Sequence, residues 1–415
     1  MESRKRVAIV GGGPAGAALA THLRKAGFLA ALFDPERRPP LIVGESLVPA
    51  LVPLMQELGI EEEIAAISTL KPGATFYSTI DQSVTFNFSN AGRGAPRYAY
   101  NTPRISFDEI VLRNAQRCGV KVSSRRAGLE LDPATAEPRL DAETLAVWRE
   151  LTETERPDLI VDASGRSRTL AKLLNLPCWE GSRKDVALFA HLDSAELQHE
   201  GHIHINRLSR GWSWRIPLPG RVSVGIVIPG AALASYGEGA EEQYDNLCKS
   251  EPTLAVLTRG ATRPTPVMKY SNYQLSSQRW SGKSWALLGD AGGFIDPIFS
   301  SGLLLALEGA SELSKAIVSG WERNASRYER RMQRKLSAWQ RLVESFYDGR
   351  MLSIFRLKRI YADTRTMQVF TRKVDQQLAL ALSGVTPASK RRLWLLSLLL
   401  RYLNRPGRTA RLRIS

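Results

Sequence analysis

A glycine-rich turn near the N-terminus restricts the fold of this chain more than any other feature. Residues 11–16 read GGGPAG; they follow the apolar run 7–10 and open the stretch 15–26, whose small residues favour a helix. A second apolar run, 29–33, closes with Asp34, which lies 23 residues after the first glycine of the turn. Strand, tight turn, helix, strand and acid in this order indicate a βαβ unit that binds a dinucleotide.

Each position of the turn has a physical task in such a unit. The first glycine allows the tight turn, the second lets the backbone approach a pyrophosphate, and the third lets the helix pack close to the strand. The helix N-terminus supplies free N–H groups and the positive end of a dipole, and the acid accepts hydrogen bonds from a ribose. We therefore predict a Rossmann-like unit with cofactor contacts from Gly11, Gly13, Pro14, Ala15, Gly16 and Asp34.

Length and composition set wider limits. A chain of 415 residues is longer than one core usually organises, so two or three domains are expected. The apolar run 7–10 is too short for a signal peptide, and three distant cysteines indicate reduced thiols rather than a disulfide or zinc framework, so we expect a cytoplasmic protein. The five histidines show no metal-ligand spacing, and the apolar run 393–400 is too short to span a bilayer.

The net charge of +16 is concentrated at one end of the chain. Residues 321–415 carry 22 Lys and Arg against 6 Asp and Glu, which leaves 35 against 35 in residues 1–320. A neutral body with a basic appendage predicts docking of an acidic protein, peptide or carrier-bound substrate. The alternative is a solvated helical cap. No nucleic-acid reading motif is present, so we expect no nucleic-acid partner.

Three later segments identify the cofactor by resemblance. PRISFDEIVLRNAQRCGVKV at 103–122, VDASGRSR at 161–168 and GDAGGFIDPIFSSG at 289–302 resemble fingerprints of the FAD-dependent monooxygenase superfamily of aromatic-hydroxylase type. The resemblance implies bound FAD, with the loop after Pro297 passing the isoalloxazine ring. The FAD contacts it implies are Arg104, Asp162, Gly165, Gly289, Asp290, Pro297, Ser301 and Gly302.

The segment VGESLVPALVPLMQELGI at 43–60 resembles the flavin-dependent halogenase-like branch of that superfamily. Glu45 and Ser46 belong to its G-E-S-L-x-P motif, and Lys71 falls where those halogenases carry their essential lysine. The resemblance implies that reduced flavin reacts with O2, that halide captures the peroxide, and that hypohalous acid travels to the lysine. The alternative interpretation makes Lys71 a surface side chain that opens a turn.

The string GWSWRIPLPG at 211–220 bears on the same choice. Trp212 and Trp214 alternate with Ser213, so on a strand they share a face and could form a wall beside the flavin. Such strings resemble halogenases but also occur in relatives that do not halogenate. Tryptophan halogenases carry an acid in the stretch after the GD motif, where this chain has Phe299. In this respect the chain resembles the phenol- and pyrrole-type halogenases.

The predicted architecture is α/β. It has a Rossmann-like FAD-binding domain, an inserted and mostly antiparallel β-sheet substrate domain, and a basic helical C-terminal domain. The boundaries we predict are 1–75, 96–185 and 271–340 for the first, 76–95 and 186–270 for the second, and 341–415 for the third.

The predicted reaction is hydroxylation of an electron-rich aromatic ring, an indole or a phenol, through a flavin C4a-(hydro)peroxide. NAD(P)H would supply electrons, directly or through a flavin reductase, and O2 would be the co-substrate. Resemblance to flavoproteins that hydroxylate protein-bound tryptophan in quinone-cofactor maturation, with the basic C-terminal region, favours this reaction. The alternatives are a halogenase that uses Lys71, Trp212 and Trp214, and a membrane-surface flavin reductase of prenyl or polyene chains.

Overall fold

The computed structural model describes residues 6–35, 38–79, 82–92, 96–349, 376 and 379–385. Its strands are β1 Arg6–Val10, β2 Leu29–Phe33, β3 Thr69–Lys71, β4 Gly73–Thr79, β5 Gln82–Asn87, β6 Ala99–Asn101, β7 Lys121–Ser123, β8 Leu129–Leu131, β9 Pro138–Leu140, β10 Leu159–Asp162, β11 Cys178–Leu192, β12 Ile203–Leu208, β13 Gly211–Leu218, β14 Arg221–Pro229, β15 Met268–Ser277, β16 Trp285–Leu287 and β17 Gly293–Phe294. Its helices are α1 Pro14–Lys25, α2 Val52–Leu58, α3 Glu61–Ala66, α4 Arg104–Arg117, α5 Ala142–Thr152, α6 Thr169–Leu173, α7 Ala240–Ser250, α8 Pro252–Leu257, α9 Ser301–Val318 and α10 Trp321–Tyr347.

A five-stranded parallel sheet forms the first layer, in the order β16-β10-β1-β2-β7. The β-branched and small apolar residues of β1 are buried on both faces, as expected for a central parallel strand covered by helices. Helix α1 follows β1 directly and packs against α9 and α4. The predicted Rossmann-like unit is therefore confirmed, and it places the carboxyl ends of β1, β2, β10 and β16 at one edge.

An eight-stranded sheet forms the second layer, in the order β17-β15-β11-β14-β13-β12-β4-β5. Its described pairs are antiparallel except β12 with β4, which confirms the prediction of a mostly antiparallel sheet. Strand β13 is buried along its whole length, because one face shares the main core with the parallel-sheet layer and the other is covered by further structure. Alternation places the two tryptophans of β13 in that core and Ser213 and Arg215 on the opposite face.

The predicted domain boundaries fall inside continuous elements of the structure. The divisions near residues 75, 185 and 270 lie within β4, β11 and β15, and the division at 340 lies within α10. All three strands belong to the eight-stranded sheet, and composition shifts along the chain did not mark their ends. Most of the predicted C-terminal domain 341–415 lies outside the described residues.

Helix α10 carries the described part of the basic C-terminal region. Its buried face is formed by Tyr328, Met332, Leu336, Trp339 and Val343, spaced by three or four residues as in an amphipathic helix packed on α9. The same helix has seven Lys and Arg against three Glu. No helix among the described residues is long and apolar enough to cross a membrane.

Candidate active site

The predicted fingerprints converge at the carboxyl edge of the parallel sheet. Gly11 has a φ of +108°, and a Cβ there would lie 2.4 Å from the carbonyl oxygen of Ala163, in the loop after β10. A Cβ on Gly289, in the loop after β16, would lie 3.2 Å from the Cβ of Ala15. Glycine is therefore favoured where the three loops touch, and the structure brings Gly11, Ala15 and Gly289 together, while their contact with a cofactor stays a prediction.

The N-terminus of α1 is open to a ligand. A Cβ on Gly16 would lie 2.0 Å from the carbonyl oxygen of Gly11, so this glycine is needed for helix-to-strand packing. Gly13 directly precedes α1, which begins at Pro14. A Cβ added at Gly13 would meet no atom within 4 Å. Close packing at Gly16 and open space at Gly13 are what a helix end that receives a pyrophosphate requires.

Asp34 lies at the end of β2, as predicted, but it has a partner that the sequence did not indicate. Its two carboxylate oxygens accept hydrogen bonds from Arg38 at 2.6 and 3.1 Å, and its side chain is buried. The spacing of four residues is the only sequence signal for this ion pair. Contact between Asp34 and a ribose stays a prediction.

Asp162 orders the loop that follows β10. It is fully buried, and its two oxygens accept hydrogen bonds from the backbone N–H groups of Ser164 and Leu170 at 2.9 and 2.8 Å. Burial still raises the pKa of this carboxyl. The loop then turns at Gly165, with a φ of +61°. Asp162 thus shapes the cofactor edge through the backbone, and its direct contact with FAD stays a prediction.

Asp290 and two arginines form a charged cluster at the same edge. No hydrogen-bond partner for the Asp290 carboxylate occurs among the described residues, and burial raises its pKa while Arg166 and Arg104 act in the opposite direction. Arg166 is held between the rings of Tyr270 and Phe294, each 4.9 Å from its guanidinium carbon. Sequence analysis did not select Arg166, although it lies within the quoted VDASGRSR segment.

Arg104 connects this cluster to the halogenase-like segment. It begins α4, pairs with Asp108, and donates a hydrogen bond to the carbonyl oxygen of Val43 at 2.7 Å. A Cβ on Gly44 would lie 2.7 Å from the same guanidinium, so the glycine of the G-E-S-L motif leaves room for Arg104.

The loop at the start of α9 provides a second open helix end. Asp296 caps the turn Pro297–Phe299 by accepting a hydrogen bond from the N–H of Ile298 at 2.9 Å. Ser300 is in the left-handed region at φ +54°, which turns the chain sharply into α9 at Ser301. A Cβ at Gly302 would meet no atom within 4 Å.

These features fit FAD. Two open helix ends suit a pyrophosphate and a flavin ring, and the unpartnered Asp290 carboxylate suits hydroxyl groups.

Lys71 is buried, which contradicts its interpretation as a surface residue opening a turn. Only 3% of it is exposed, because β3 pairs with β6 and places it inside the molecule. Its Nζ donates hydrogen bonds to Ser46 Oγ and to the carbonyl oxygen of Leu47, both at 2.7 Å, and lies 5.4 Å from the centre of the Phe88 ring. Burial lowers the pKa of Lys71 to about 7.

Lys71 lines a narrow apolar pocket of about 20 Å³, which is room for about one water molecule. The same pocket is lined by Ile298, Phe299 and Ser300, in the loop that enters α9. Among the described residues that line it, Lys71 is the only one that can carry a charge. The remaining lining residues are Val48, Ala74, Phe76, Phe88, Ile203, Ile205 and Leu382.

Glu45 has a buried partner that sequence analysis missed. Its carboxylate lies 2.7 Å from Nε2 of His191 on β11, and both side chains are almost fully enclosed. The Nδ1 of His191 has no hydrogen-bond partner in the part of the chain that the structure describes. The two residues are 146 positions apart, so no local pattern could have paired them.

The two tryptophans share a face, as predicted. Their ring centres are 5.7 Å apart, and both are buried against the flavin layer. Trp214 Nε1 donates to Ser223 Oγ at 3.2 Å, and Trp212 Nε1 donates to the Tyr347 hydroxyl at 2.9 Å. That hydroxyl donates in turn to Asp296 at 3.0 Å, so the tryptophan wall is joined to the loop at the start of α9.

A family model described as tryptophan halogenase matches residues 6–96 and 90–355. The chain belongs to the tryptophan halogenase family. The shared region covers every predicted site residue. Family membership makes the protein an FAD-dependent oxidoreductase of the halogenase-like branch.

Individual relatives are also halogenases. A tryptophan 2-halogenase of Chondromyces crocatus is 30% identical over 366 residues, 84% of this chain and 69% of its own. A 1H-pyrrole-2-carbonyl-[peptidyl-carrier protein] chlorinase of Pseudomonas fluorescens is 27% identical, over 82% of this chain and 83% of its own. The structure of the myxobacterial chondrochloren halogenase CndH, 26% identical, matches 98% of both chains with a TM-score of 0.71.

These findings support halogenation better than the hydroxylation we expected from the basic C-terminal region. None of the relatives named here is a hydroxylase of protein-bound tryptophan. The cofactor prediction holds for FAD, whereas NAD(P)H and O2 stay predictions.

Proposed function

We propose that the protein is a flavin-dependent halogenase that delivers an oxidised halogen to an electron-rich aromatic ring at Lys71. One observation carries this proposal. A buried lysine with a pKa of about 7 lines a narrow apolar pocket, and the loop at the start of α9 lines the same pocket. A lysine needed only for solubility would be exposed, and burying it without an ion pair is costly.

The local contacts of Lys71 suit this role. Ser46 Oγ and the Leu47 carbonyl fix Nζ in position, and neither carries a charge that would hold the lysine protonated. Near neutral pH Nζ therefore exists in both forms. The ammonium can donate a hydrogen bond to hypohalous acid, and the amine can accept the halogen.

The cofactor site would be built by the fingerprints already described. The open ends of α1 and α9, with Asp290 and Arg104, would hold the pyrophosphate, ribityl chain and ring of FAD. When bound and reduced, FAD supplies the oxidation of halide by O2 that yields hypohalous acid. Trp212 and Trp214 would fill the space beside the ring, so an organic substrate reaches Lys71 but not the flavin.

The cavity also restricts the substrate. A free amino acid needs an acidic partner for its ammonium group, and the described lining contains no Asp or Glu. We infer a neutral phenol, pyrrole or indole ring that approaches Lys71 at the mouth of this pocket while the rest of its molecule stays outside. A ring on an acidic carrier fits, because the pyrrole-2-carbonyl relative acts on a peptidyl-carrier protein and α10 exposes a row of arginines.

A trapping experiment separates the formation of hypohalous acid from the delivery of halogen to the aromatic ring at Lys71. Holoenzyme would be supplied with FAD, a flavin reductase, NAD(P)H, O2 and bromide, with a β-diketone in solution that scavenges hypobromous acid. The Lys71→Met variant should still brominate the scavenger but should lose bromination of an aromatic substrate by about 100-fold or more, the usual worth of a positioned proton donor or acceptor. Equal loss of both activities would show that Lys71 supports the flavin site instead.

A further inference from the structure

Strand β13 has a second buried face, opposite the tryptophan wall. Ser213 and Arg215 point to that face, where they meet Asn206 and His204 of β12 through the pairs Asn206 with Ser213 and His204 with Arg215. Each of these four side chains is at most 1% exposed. The face therefore encloses a full guanidinium charge inside the protein.

The guanidinium has more donors than acceptors around it. Arg215 Nη2 donates to Asn206 Oδ1 at 3.3 Å, but its Nε and Nη1 have no hydrogen-bond partner within the described ranges. The Ser213 hydroxyl, two residues earlier on the same face, also has none there. Buried N–H groups are rarely left unpaired, and those of a charged group are the most costly to leave so.

Neighbouring groups do not neutralise this charge. Burial lowers the pKa of His204 to about 3, so the imidazole is neutral at physiological pH, and burial raises the pKa of Tyr77, so its phenol stays protonated. The Tyr77 ring centre lies 5.7 Å from the guanidinium carbon. Burial lowers the pKa of Arg215, and this effect outweighs the opposite effects of Tyr77 and of the exposed Glu196.

We propose that Arg215 binds a halide ion on this face of β13, beside the segment 193–201, whose His199 carbonyl oxygen lies 3.3 Å from His204 Nε2. A single negative charge would neutralise the guanidinium, and a halide accepts hydrogen bonds without needing to donate any. A water molecule could accept hydrogen bonds from these donors, but it would leave the positive charge of the guanidinium uncompensated. The enclosure of the four side chains favours a monatomic ion over a carboxylate or phosphate ester.

The covering segment connects this site to the strand that carries Lys71. Gln198 accepts a hydrogen bond from the Tyr77 hydroxyl, and Gly201 accepts one from Asn101 Nδ2 at 2.9 Å. A Cβ on Gly201 would lie 2.2 Å from the carbonyl oxygen of Leu70. A halide that stabilises the segment 193–201 would thus also stabilise β3, which Gly201 contacts at Leu70.

Thermal unfolding of the FAD-bound protein tests the proposal. Melting would be followed in sodium bromide and in sodium gluconate at equal ionic strength, for wild type, Arg215→Met and Lys71→Met. Bromide should raise the Tm of wild type and of Lys71→Met by about 2 °C or more, as expected for a ligand that binds only the native state. Arg215→Met should show no such rise. An equal bromide-dependent rise in Arg215→Met would overturn the proposal.

A crystallographic measurement covers the case in which Arg215→Met does not fold. Wild-type crystals in bromide should show an anomalous peak within hydrogen-bonding distance of Arg215 Nε or Nη1. Absence of that peak at a bromide concentration that fills other sites would contradict halide binding at Arg215.

Discussion

At the scale of single residues, the proposed function depends on the burial of Lys71. Sequence analysis selected Lys71 by its position in a motif, and likewise Glu45, Ser46 and the two tryptophans. It could not show that Lys71 is enclosed, because this depends on β3 pairing with β6, about thirty residues later. His191 was missed for the same reason, since its partner Glu45 lies in a different part of the chain.

The pKa of Lys71 predicts how stability changes with pH. The folded value of about 7 lies below the ordinary value near 10.4 for an unfolded chain, so the unfolded state binds more protons between these two pH values. Stability should therefore rise with pH across this window, by up to about 1.4 kcal/mol per pH unit from this group. Below pH 7 both states are protonated and the contribution is constant.

Urea unfolding of wild type and Lys71→Met between pH 6 and 10 measures this contribution. The free energy of unfolding of wild type should rise relative to the variant above pH 7 and run parallel to it below. Parallel curves over the whole range would mean that Lys71 has an ordinary pKa and is not buried as described.

At the scale of elements, the sequence predicted the period of β13 but not what its side chains touch. Alternation placed both tryptophans on one face, and this is confirmed. The contact of Trp212 with Tyr347 spans 135 positions and depends on how α10 crosses the sheet, which no local pattern encodes. Helix α10 thereby connects the tryptophan wall to Asp296 at the start of α9.

Replacing Tyr347 by Phe tests that connection. The change removes an acceptor for Trp212 and a donor to Asp296, leaving a buried indole N–H unpaired at a cost of about 1–3 kcal/mol. We expect kcat to fall about tenfold with KM for the aromatic substrate unchanged, because the loop position rather than substrate binding is altered.

Tyr328→Phe is the matched control on the same helix. Its hydroxyl donates to the carbonyl oxygen of Leu287 at 2.7 Å, away from the Lys71 cavity. This variant should lose stability but keep kcat. If both variants lowered kcat equally, Tyr347 would have only a structural role, like Tyr328.

Gly225 on β14 sets the place of the second tryptophan. A Cβ there would lie 2.0 Å from Cζ2 of Trp214, so Gly225→Ala must displace the indole. Overpacking of this kind costs about 1–3 kcal/mol, measurable by chemical unfolding. In a Trp214→Ala background the same change should cost far less; an unchanged cost would place the strain elsewhere.

At the scale of the whole molecule, much of the fold could be predicted from the sequence. The glycine turn, the later fingerprints and the strand-rich middle fixed a Rossmann-like layer and a mostly antiparallel one. The predicted boundaries near 75, 185 and 270 fall within β4, β11 and β15, which all belong to the eight-stranded sheet. The order of strands in the second sheet, with β4 beside β12 in parallel, could not be predicted, since pairing between distant strands leaves no local periodicity.

The asymmetric charge predicts salt-dependent binding of an acidic carrier. Arg327, Arg330 and Arg334 are exposed on α10. Replacing all three by Gln should raise KM for a carrier-bound ring at low salt and weaken the dependence of KM on salt. A matched triple change at the exposed Arg125, Arg139 and Arg149 should not. If both triple variants changed KM equally, the effect would come from net charge alone, and α10 would not be a docking surface.

The proposed reaction transfers halogen rather than oxygen. The most direct measurement is high-resolution mass spectrometry of phenol, pyrrole and indole substrates, free and carrier-bound, after turnover with FAD, a flavin reductase, NAD(P)H, O2 and mixed chloride and bromide. The account predicts products with chlorine or bromine isotope patterns, absent with Lys71→Met. A product heavier by one oxygen, about 16 Da, formed equally well by Lys71→Met, would contradict it and restore hydroxylation.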